Sequence, residues 1–483
     1  MNTSEKKTAF ATLDIGTSQI KLGVYCPSIS DKIILVSNLR NELIYGSSGD
    51  VRADYNAARN KAFIVLKELG SFLKDHRIDN LYIGICGHIS SLMEWNRVQG
   101  TPPGQPFPIW LDTTCYDSLE EYQSIMGDGK SKGILGTFLP AGTNWLFTKL
   151  LHRRKSGFEE NSIFLQVSDG IFYELSGEFK THFSSQLSMV DLKTRTYARV
   201  LLDHLELNES FFPGIHYQAL PITDERKKQF DLPVESFVFP AMADLYTSLY
   251  GLRLKDKEGF MLANTSEQAG VFFDNKPGAL NNFLSISFNR GFINYGSTNT
   301  GGNVVNWFLT NVLKKDATAV ILNELTDKAK AIHPNDTPII LPYLQGERAP
   351  LWNSRLTASI LELKSSHTEV HLFRAILESI SFARRQCFEQ LGIDELELIK
   401  LGGGSSKNNL WNSIRASVLN KPVAVADEKE LSMAGIIDYV MEAQQSPYST
   451  PPINFSVTQP VPELTGVYDE KYARFLKYQH FLS

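Results

Sequence analysis

Apolar and polar residues alternate in short runs along most of the chain, broken by longer stretches at helical spacing. Ala11-Thr12-Leu13 and Lys21-Leu22-Gly23-Val24-Tyr25 read as strands flanking the polar turn Asp14-Ile15-Gly16-Thr17-Ser18, which predicts a hairpin. Half a chain later, GFMLANTSEQAGVFF from Gly259 to Phe273 repeats the pattern, with Thr265-Ser266 in the frame of Thr17-Ser18. Such self-similarity predicts a duplicated two-domain protein whose halves each offer a polar turn to a shared cleft. The copy is degenerate: Leu262 stands where Asp14 aligns and Asn264 where Gly16 does.

Between the hairpins, strands are expected at Ile33–Val36, Leu81–Gly87 and Ile109–Asp112, and helices at Tyr55–Leu73, Asn144–Lys155 and Ala198–Leu207. A short helix is expected after Phe164–Asp169, ending near Gly177. Phe237 to Gly251 reads as a strand, a turn and a helix with Asp244 at its start. After the second hairpin come a strand at Leu284–Phe288, a Gly301-Gly302 turn with a helix from Val304 to Leu313, and the long helix Val370–Leu391. Leu398–Leu401 runs as a strand into Gly402-Gly403-Gly404-Ser405-Ser406-Lys407-Asn408, with a helix from Leu410. The helix from Ser432, SMAGIIDYVMEA, is small-residue rich and could pack closely behind that glycine turn. Pro447–Pro462 reads as a linker before a last helix, Asp469–Leu482. This alternation points to α/β layers, divided as 1–250 and 251–483.

Composition narrows the class. With 483 residues, 42% hydrophobic and 21% charged, the chain can bury the cores of two or three domains. A net charge of -5 and no basic run beyond Arg153-Arg154-Lys155 argue against nucleic acid as a partner. The polar start MNTSEKKTAF and the lack of any membrane-length apolar run lead to a cytoplasmic expectation. Cys26, Cys86, Cys115 and Cys387 are scattered and are expected as buried thiols.

The polar turns carry the candidate chemistry. Gly16 admits close approach of an anion, Thr17 and Ser18 offer donors, Asp14 can hold a hydrated divalent cation, and Lys21 can reach phosphate oxygens. An ordinary tight turn explains the same residues. Asp244 reads first as a helix N-cap, and a carboxylate so held can also orient a hydroxyl and take its proton in phosphoryl transfer. Gly402 to Gly404 let a base or ribose lie on the backbone, or form a plain glycine loop. His88 alone reads as a structural histidine, and Asp112 as a turn or cap.

Taken in order, these pieces resemble the FGGY carbohydrate kinases over nearly the whole chain. Asp14-Ile15-Gly16-Thr17-Ser18 with Lys21 is similar to the family's first phosphate motif, Asn264-Thr265-Ser266 to the second and Leu401-Gly402-Gly403-Gly404-Ser405-Ser406 to the adenosine motif. Leu341–Pro350 and Arg374–Ile380 resemble further family blocks. The resemblance implies a duplicated actin-like, ribonuclease H-like ATPase fold with a central cleft, and transfer of phosphate from ATP to a sugar hydroxyl. It implies Asp244 as the catalytic base and Mg²⁺ held by Asp14 through water and by Asp244. ATP would be bound by Asp14, Gly16, Thr17, Ser18, Lys21, Thr265, Ser266, Gly301, Gly302, Gly402, Gly403, Gly404, Ser405 and Asn408. The sugar would meet His88, Ile89, Trp110, Asp112, Asp244 and Leu245, with no nucleic acid or membrane partner and a homodimer as a candidate assembly.

Within the family, the Ala243–Tyr250, Thr265–Gln268 and Gly301–Val304 stretches look most like sedoheptulokinases, while the Leu341 block is equally at home in gluconate and xylulose kinases. The sugar side departs from the family pattern: Gly87-His88-Ile89-Ser90-Ser91 replaces Gly-Gln-Met-His-Gly, Trp110-Leu111-Asp112-Thr113-Thr114 lacks the usual Arg, and His182 stands where an Asp is usual. A guanidinium fork to sugar hydroxyls has no substitute in Thr113 or Thr114. A regulatory protein without kinase turnover, and an actin-like or chaperone-type ATPase, are the rival readings.

Overall fold

The computed structural model describes residues 6–127, 129–274, 282–288, 291–428 and 430–482. Two mixed sheets organise two units. In the first, strand Thr8–Ile15 is flanked by antiparallel Gln19–Tyr25 and parallel Asn80–Gly87, with Ile34–Arg40 outside the former and Glu235–Val238 outside the latter. In the second, Glu258–Ala263 is flanked by antiparallel Glu267–Phe273 and parallel Leu398–Gly402, with Gly291–Ser297 and Val423–Ala426 outside them. The same five-strand order occurs twice, so the duplication read from the two hairpins is a property of both sheets. The hairpins also match in register. Asp14 faces Lys21 in one and Leu262 faces Gln268 in the other, and the second loop is one residue shorter.

Helix Tyr55–His76 shows why sequence and structure agree where periodicity is strong. Asp54 caps it, accepting N–H bonds from Asn56 and Ala57, and Ala58, Ala62, Val65, Leu66 and Leu69 form its buried stripe. Full burial of each larger aliphatic side chain contributes about 1.5–3 kcal/mol. Glu369–Leu391 is likewise one helix, carrying Phe373, Ile376, Leu377, Ile380 and Ala383 into the second unit's core.

Four expectations change. Ile109–Asp112 is a turn after the two-residue strand Phe107–Pro108, because the Asp112 carboxylate folds back on the backbone. The linker expected at 447–462 contains strand Phe455–Thr458, an edge of the second sheet, and the last helix begins earlier, at Pro462. The helix after Gly301-Gly302 is α-helical only to Trp307 and widens to a π-turn over Phe308–Val312. The fourth concerns the division at 250/251: residues 430–452 belong to the first unit, with 1–253, and the second comprises 254–429 and 453–483.

Helix Leu431–Ala443, which the sequence could place behind the glycine turn, thus has its packing partner in the first unit. It packs on helix Asp244–Gly251 with backbone against backbone. A Cβ at Gly435 would collide with the Thr247 carbonyl oxygen and stand 2.5 Å from Gly251 N; one at Gly251 would strike the Leu431 carbonyl. The Arg253 guanidinium fastens the same return, donating to Asp438 at 2.6 and 2.9 Å and to the Pro451 carbonyl at 2.6 Å.

The four cysteines are free and buried, and no helix among the described residues is long and apolar enough to cross a membrane. Gly435→Val should cost at least about 3 kcal/mol, seen as a lowered first transition in thermal unfolding. Gly466→Ala, in a helix with nothing within 4 Å of the new methyl, should stabilise by about 0.5–1 kcal/mol in the same assay.

Candidate active site

In the first unit, three parallel strand ends converge. Asp14 and Met242 both register with Cys86, on opposite sides of strand Asn80–Gly87, and Ala243 registers with Gly87. The chain therefore delivers Asp14, His88 and Asp244 to one edge of the sheet. Asp244 is the first residue of its helix, with Ala243 in the cap position, so the N-cap reading fails; its Oδ1 accepts the Leu245 N–H at 2.6 Å.

Both carboxylates are raised. Burial pushes Asp244 up to about 7, the negative charge of Asp14 adds to this, and the Leu245 N–H opposes it. Burial also raises Asp14, against the Ser432 hydroxyl, which donates to Oδ2 at 2.9 Å, and the Lys21 charge. Glu430 takes the Lys21 ammonium at 2.7 Å, so the lysine expected to reach phosphate is already in an ion pair. Mg²⁺ is commonly held by one or two carboxylates together with water and substrate phosphates. Two mutually repelling, partly buried carboxylates fit that donor set, whereas among the described residues no cluster of three or more His, Cys, Asp or Glu is built for a metal cage.

The first turn is clamped by Asn41, a residue the sequence did not single out, just past strand Ile34–Arg40. Asn41 donates its side-chain amide to Gly16 O at 2.9 Å and its backbone N–H to Ser18 O at 2.7 Å. Thr17 is partly exposed and Ser18 exposed.

The sugar-side candidates separate. His88 is buried with no partner for Nδ1 among the described residues, and burial pushes its imidazole down to about 4, so it is neutral. Ile89 and Leu245 are partly exposed, and Trp110 is 40% exposed. Asp112 is 1% exposed and spends both oxygens on structure: Oδ2 accepts the Val51 N–H at 3.0 Å, and Oδ1 accepts the Thr114 N–H at 3.0 Å and hydroxyl at 2.6 Å. The turn reading of Asp112 is the one the structure favours.

In the second unit, Asn264 is the hub. Its Oδ1 accepts the Gly404 N–H at 3.2 Å, and its carbonyl accepts the Gly302 N–H at 3.0 Å. Gly403 has φ +96°, and a Cβ there would stand 2.6 Å from Asn264 Oδ1; one at Gly301 would stand 2.9 Å from Thr265 O. The second hairpin turn, Gly301-Gly302 and Gly403-Gly404 thus form one concave backbone surface, with the Thr265 side chain exposed and Ser266 partly so. Glycine-lined backbone of this kind suits a phosphate or nucleoside. Asn408 does not join them: it caps helix Asn409–Leu419 through Trp411 N–H and donates to Thr326.

Beneath this surface lies a buried charge network. Glu267 pairs with Arg415 at 2.6 Å and with Arg384 at 3.9 Å, and Arg384 reaches Glu347 at 3.5 Å and the Thr300 hydroxyl at 2.7 Å. Arg415 also donates to Ser405 Oγ at 2.8 Å. Each segment of the cradle is fixed by the residue beside it: Glu267 next to Ser266, Thr300 next to Gly301, Ser405 next to Gly404.

Comparison with known proteins agrees with this geometry. The N-terminal domain of the FGGY family of carbohydrate kinases matches residues 9–230, and the C-terminal domain of that family matches residues 258–438. Glycerol kinase of Aquifex aeolicus is 24% identical over 452 residues, covering 88% of this chain and 87% of that protein. Xylulose kinase of Staphylococcus xylosus is 21% identical over 447 residues, covering 86% and 87%. Among solved structures, xylulose kinase of Rhodospirillum rubrum aligns with a TM-score of 0.87 at 20% identity, covering 98% of this chain and 99% of that one. Gluconate kinase of Lactobacillus acidophilus aligns with 0.85 at 19%, covering 99% and 98%. These structures share the two-domain α/β fold.

Because the Asp14 charge contributes to the raised Asp244 carboxyl, Asp14→Asn should move the Asp244 titration, followed by ¹³C NMR of side-chain carboxyls, below 7 in the metal-free protein.

Proposed function

The chain belongs to the FGGY family of carbohydrate kinases, phosphotransferases with an alcohol as acceptor, and from that premise we propose a kinase that transfers the γ-phosphoryl of ATP to a ketose hydroxyl. Sedoheptulose is the first candidate, on the Ala243–Tyr250 and Gly301–Val304 stretches; xylulose and gluconate are the alternatives, and glycerol belongs in the test because it names relatives.

The observation that carries the reading is Asp244, a carboxylate raised to about 7 at the strand end beside Asp14. A base with that affinity for a proton is matched to neutral pH. In phosphoryl transfer the protein acts mainly by positioning and by charge. Asp244 orients the acceptor hydroxyl and takes its proton. Thr17, Ser18, Thr265 and Ser266, with the amides of their turns, bind phosphate oxygens. The backbone of Gly301-Gly302 and Gly402 to Gly404 beds the nucleoside, and Arg384 and Arg415 keep those turns in place through Thr300 and Ser405. Mg²⁺, when bound, would be held by Asp14 through water and by Asp244, and supplies positive charge to the phosphates. Lys21 serves the first turn as the partner of Glu430.

A second reading, a sugar- or nucleotide-binding regulator without turnover, is favoured by the structural use of Asp112 and the buried His88.

ADP release with Mg-ATP should depend on one member of a panel of sedoheptulose, xylulose, ribulose, gluconate, glycerol and hexoses. Binding of ATP with no acceptor-dependent release would favour the regulator. Asp244→Asn should lower kcat by at least about 10³-fold while ATP affinity, read by calorimetry, stays within a few fold; retention of most activity would remove Asp244 from the role of base.

A further inference from the structure

His182 occupies the position where the family pattern puts an acid, and its surroundings give it a task. Strand Met242–Ala243, which delivers Asp244, is two residues long. One edge pairs with Cys86-Gly87. The other is held by residues 182–185: the His182 N–H and the Ser185 hydroxyl donate to the Ala241 carbonyl at 3.2 and 2.7 Å, and the Ala243 N–H donates to Ser184 Oγ at 3.1 Å.

The imidazole sets the direction of this bond. His182 Nδ1 accepts the Ser184 N–H at 3.3 Å and lies 2.8 Å from Ser184 Oγ. Nδ1 therefore presents a lone pair, the Ser184 hydroxyl gives its only proton to Nδ1, and Oγ is left to accept from Ala243. The ring is the Nε2–H tautomer. Burial and the nearby Arg195 charge push it down to about 3, which keeps it neutral. Phe183, Tyr217, Tyr246 and Tyr439 hold it, with ring centroids 4.6, 5.4, 5.0 and 5.5 Å away. Tyr246 lies two residues beyond Asp244 on the same helix. His182 thus grips the chain on both sides of the carboxylate, through Ser184 before it and Tyr246 after it.

We propose that His182 is a positioning residue: with Ser184 it fixes the two-residue strand that aims Asp244, acting as a hydrogen-bond acceptor rather than as a ligand of the sugar. What the position requires is an acceptor atom at Nδ1, a demand that an amide or carboxylate oxygen also meets. The proposal rests on the reading of Asp244 as the base, and its test has an arm that does not.

The measurements are amide hydrogen exchange at Ala243 and Asp244 in the resting full-length protein, and steady-state ADP release with the acceptor the panel identifies. His182→Phe removes the acceptor and keeps an aromatic ring. It should speed Ala243 exchange at least about tenfold and lower kcat about 10- to 100-fold, with KM for acceptor and ATP within about twofold. His182→Asn should restore both. Ser184→Ala should reproduce the His182→Phe result, and covers the case in which that variant does not fold. Unchanged exchange in His182→Phe and Ser184→Ala would overturn the proposal, as would a raised acceptor KM with kcat intact, the mark of a direct sugar contact. If the wild type released no ADP with any acceptor, the kinase reading would fall, and the exchange results alone would decide whether His182 fixes this strand.

Discussion

The first unit depends on the contact in which helices Asp244–Gly251 and Leu431–Ala443 touch through Gly251 and Gly435. Without side chains between them, the backbones come close enough for residues 430–452 to seal a sheet begun more than four hundred residues earlier. The approach brings Glu430 to Lys21 and Ser432 to Asp14. The environment of the first phosphate-type turn is thus half built by the far end of the chain, and the same helix pair sets the start of the segment that begins with Asp244.

The two halves use one supersecondary plan for different ends. Each puts a hairpin turn beside a parallel strand. In the first, the strand ends gather two carboxylates that repel each other, an arrangement suited to a cation and a proton. In the second, Leu262 replaces the acid, and the neighbouring strand opens into glycines that reach the surface at Gly404. Among the described residues, a buried Glu–Arg network underlies the second turn and not the first. Buried pairs of this kind are weak evidence for stability; here they tie the segments of the backbone cradle to one another through Glu267, Arg384 and Arg415.

The sequence made the architecture legible because hairpins, strand ends and long helices are local patterns, and the half-chain repeat showed the duplication. The helix start at Asp244, the hairpin turn at Thr17 and the glycine turns were legible as local structure for the same reason. Asn264 appeared only as a replacement for Gly16, although its side chain is the hub, because the bond to Gly404 joins residues 140 apart. Asn41, Ser432 and the partner of Lys21 were hidden likewise. Asp112 was read from its surroundings as a turn or cap, as its bonds show, and it was the resemblance that put it and Asn408 on ligands: acids and amides in turns look the same in sequence whether they bind a ligand or cap a chain. The neighbour of the helix from Ser432 was hidden too, since small residues signal close packing without naming its partner.

The return of residues 430–452 also orders events at the ribosome. When Arg253 has emerged, the first sheet has its strands but lacks the helix that covers it, and Gly251 has nothing to meet. Residues 254–429 of the second unit must be made before the first can close. Its strands Glu258–Ala263 and Val423–Ala426 lie two places apart in one sheet, so its folding shortens the span between the first two of the three points where the chain crosses between units. It then works as a clasp, replacing a long floppy loop by a short one and removing much of the closure entropy that the returning helix would otherwise face. A fragment ending near residue 253 is therefore an unfinished object, and translation runs through an interval in which half the protein waits for the other half to fold.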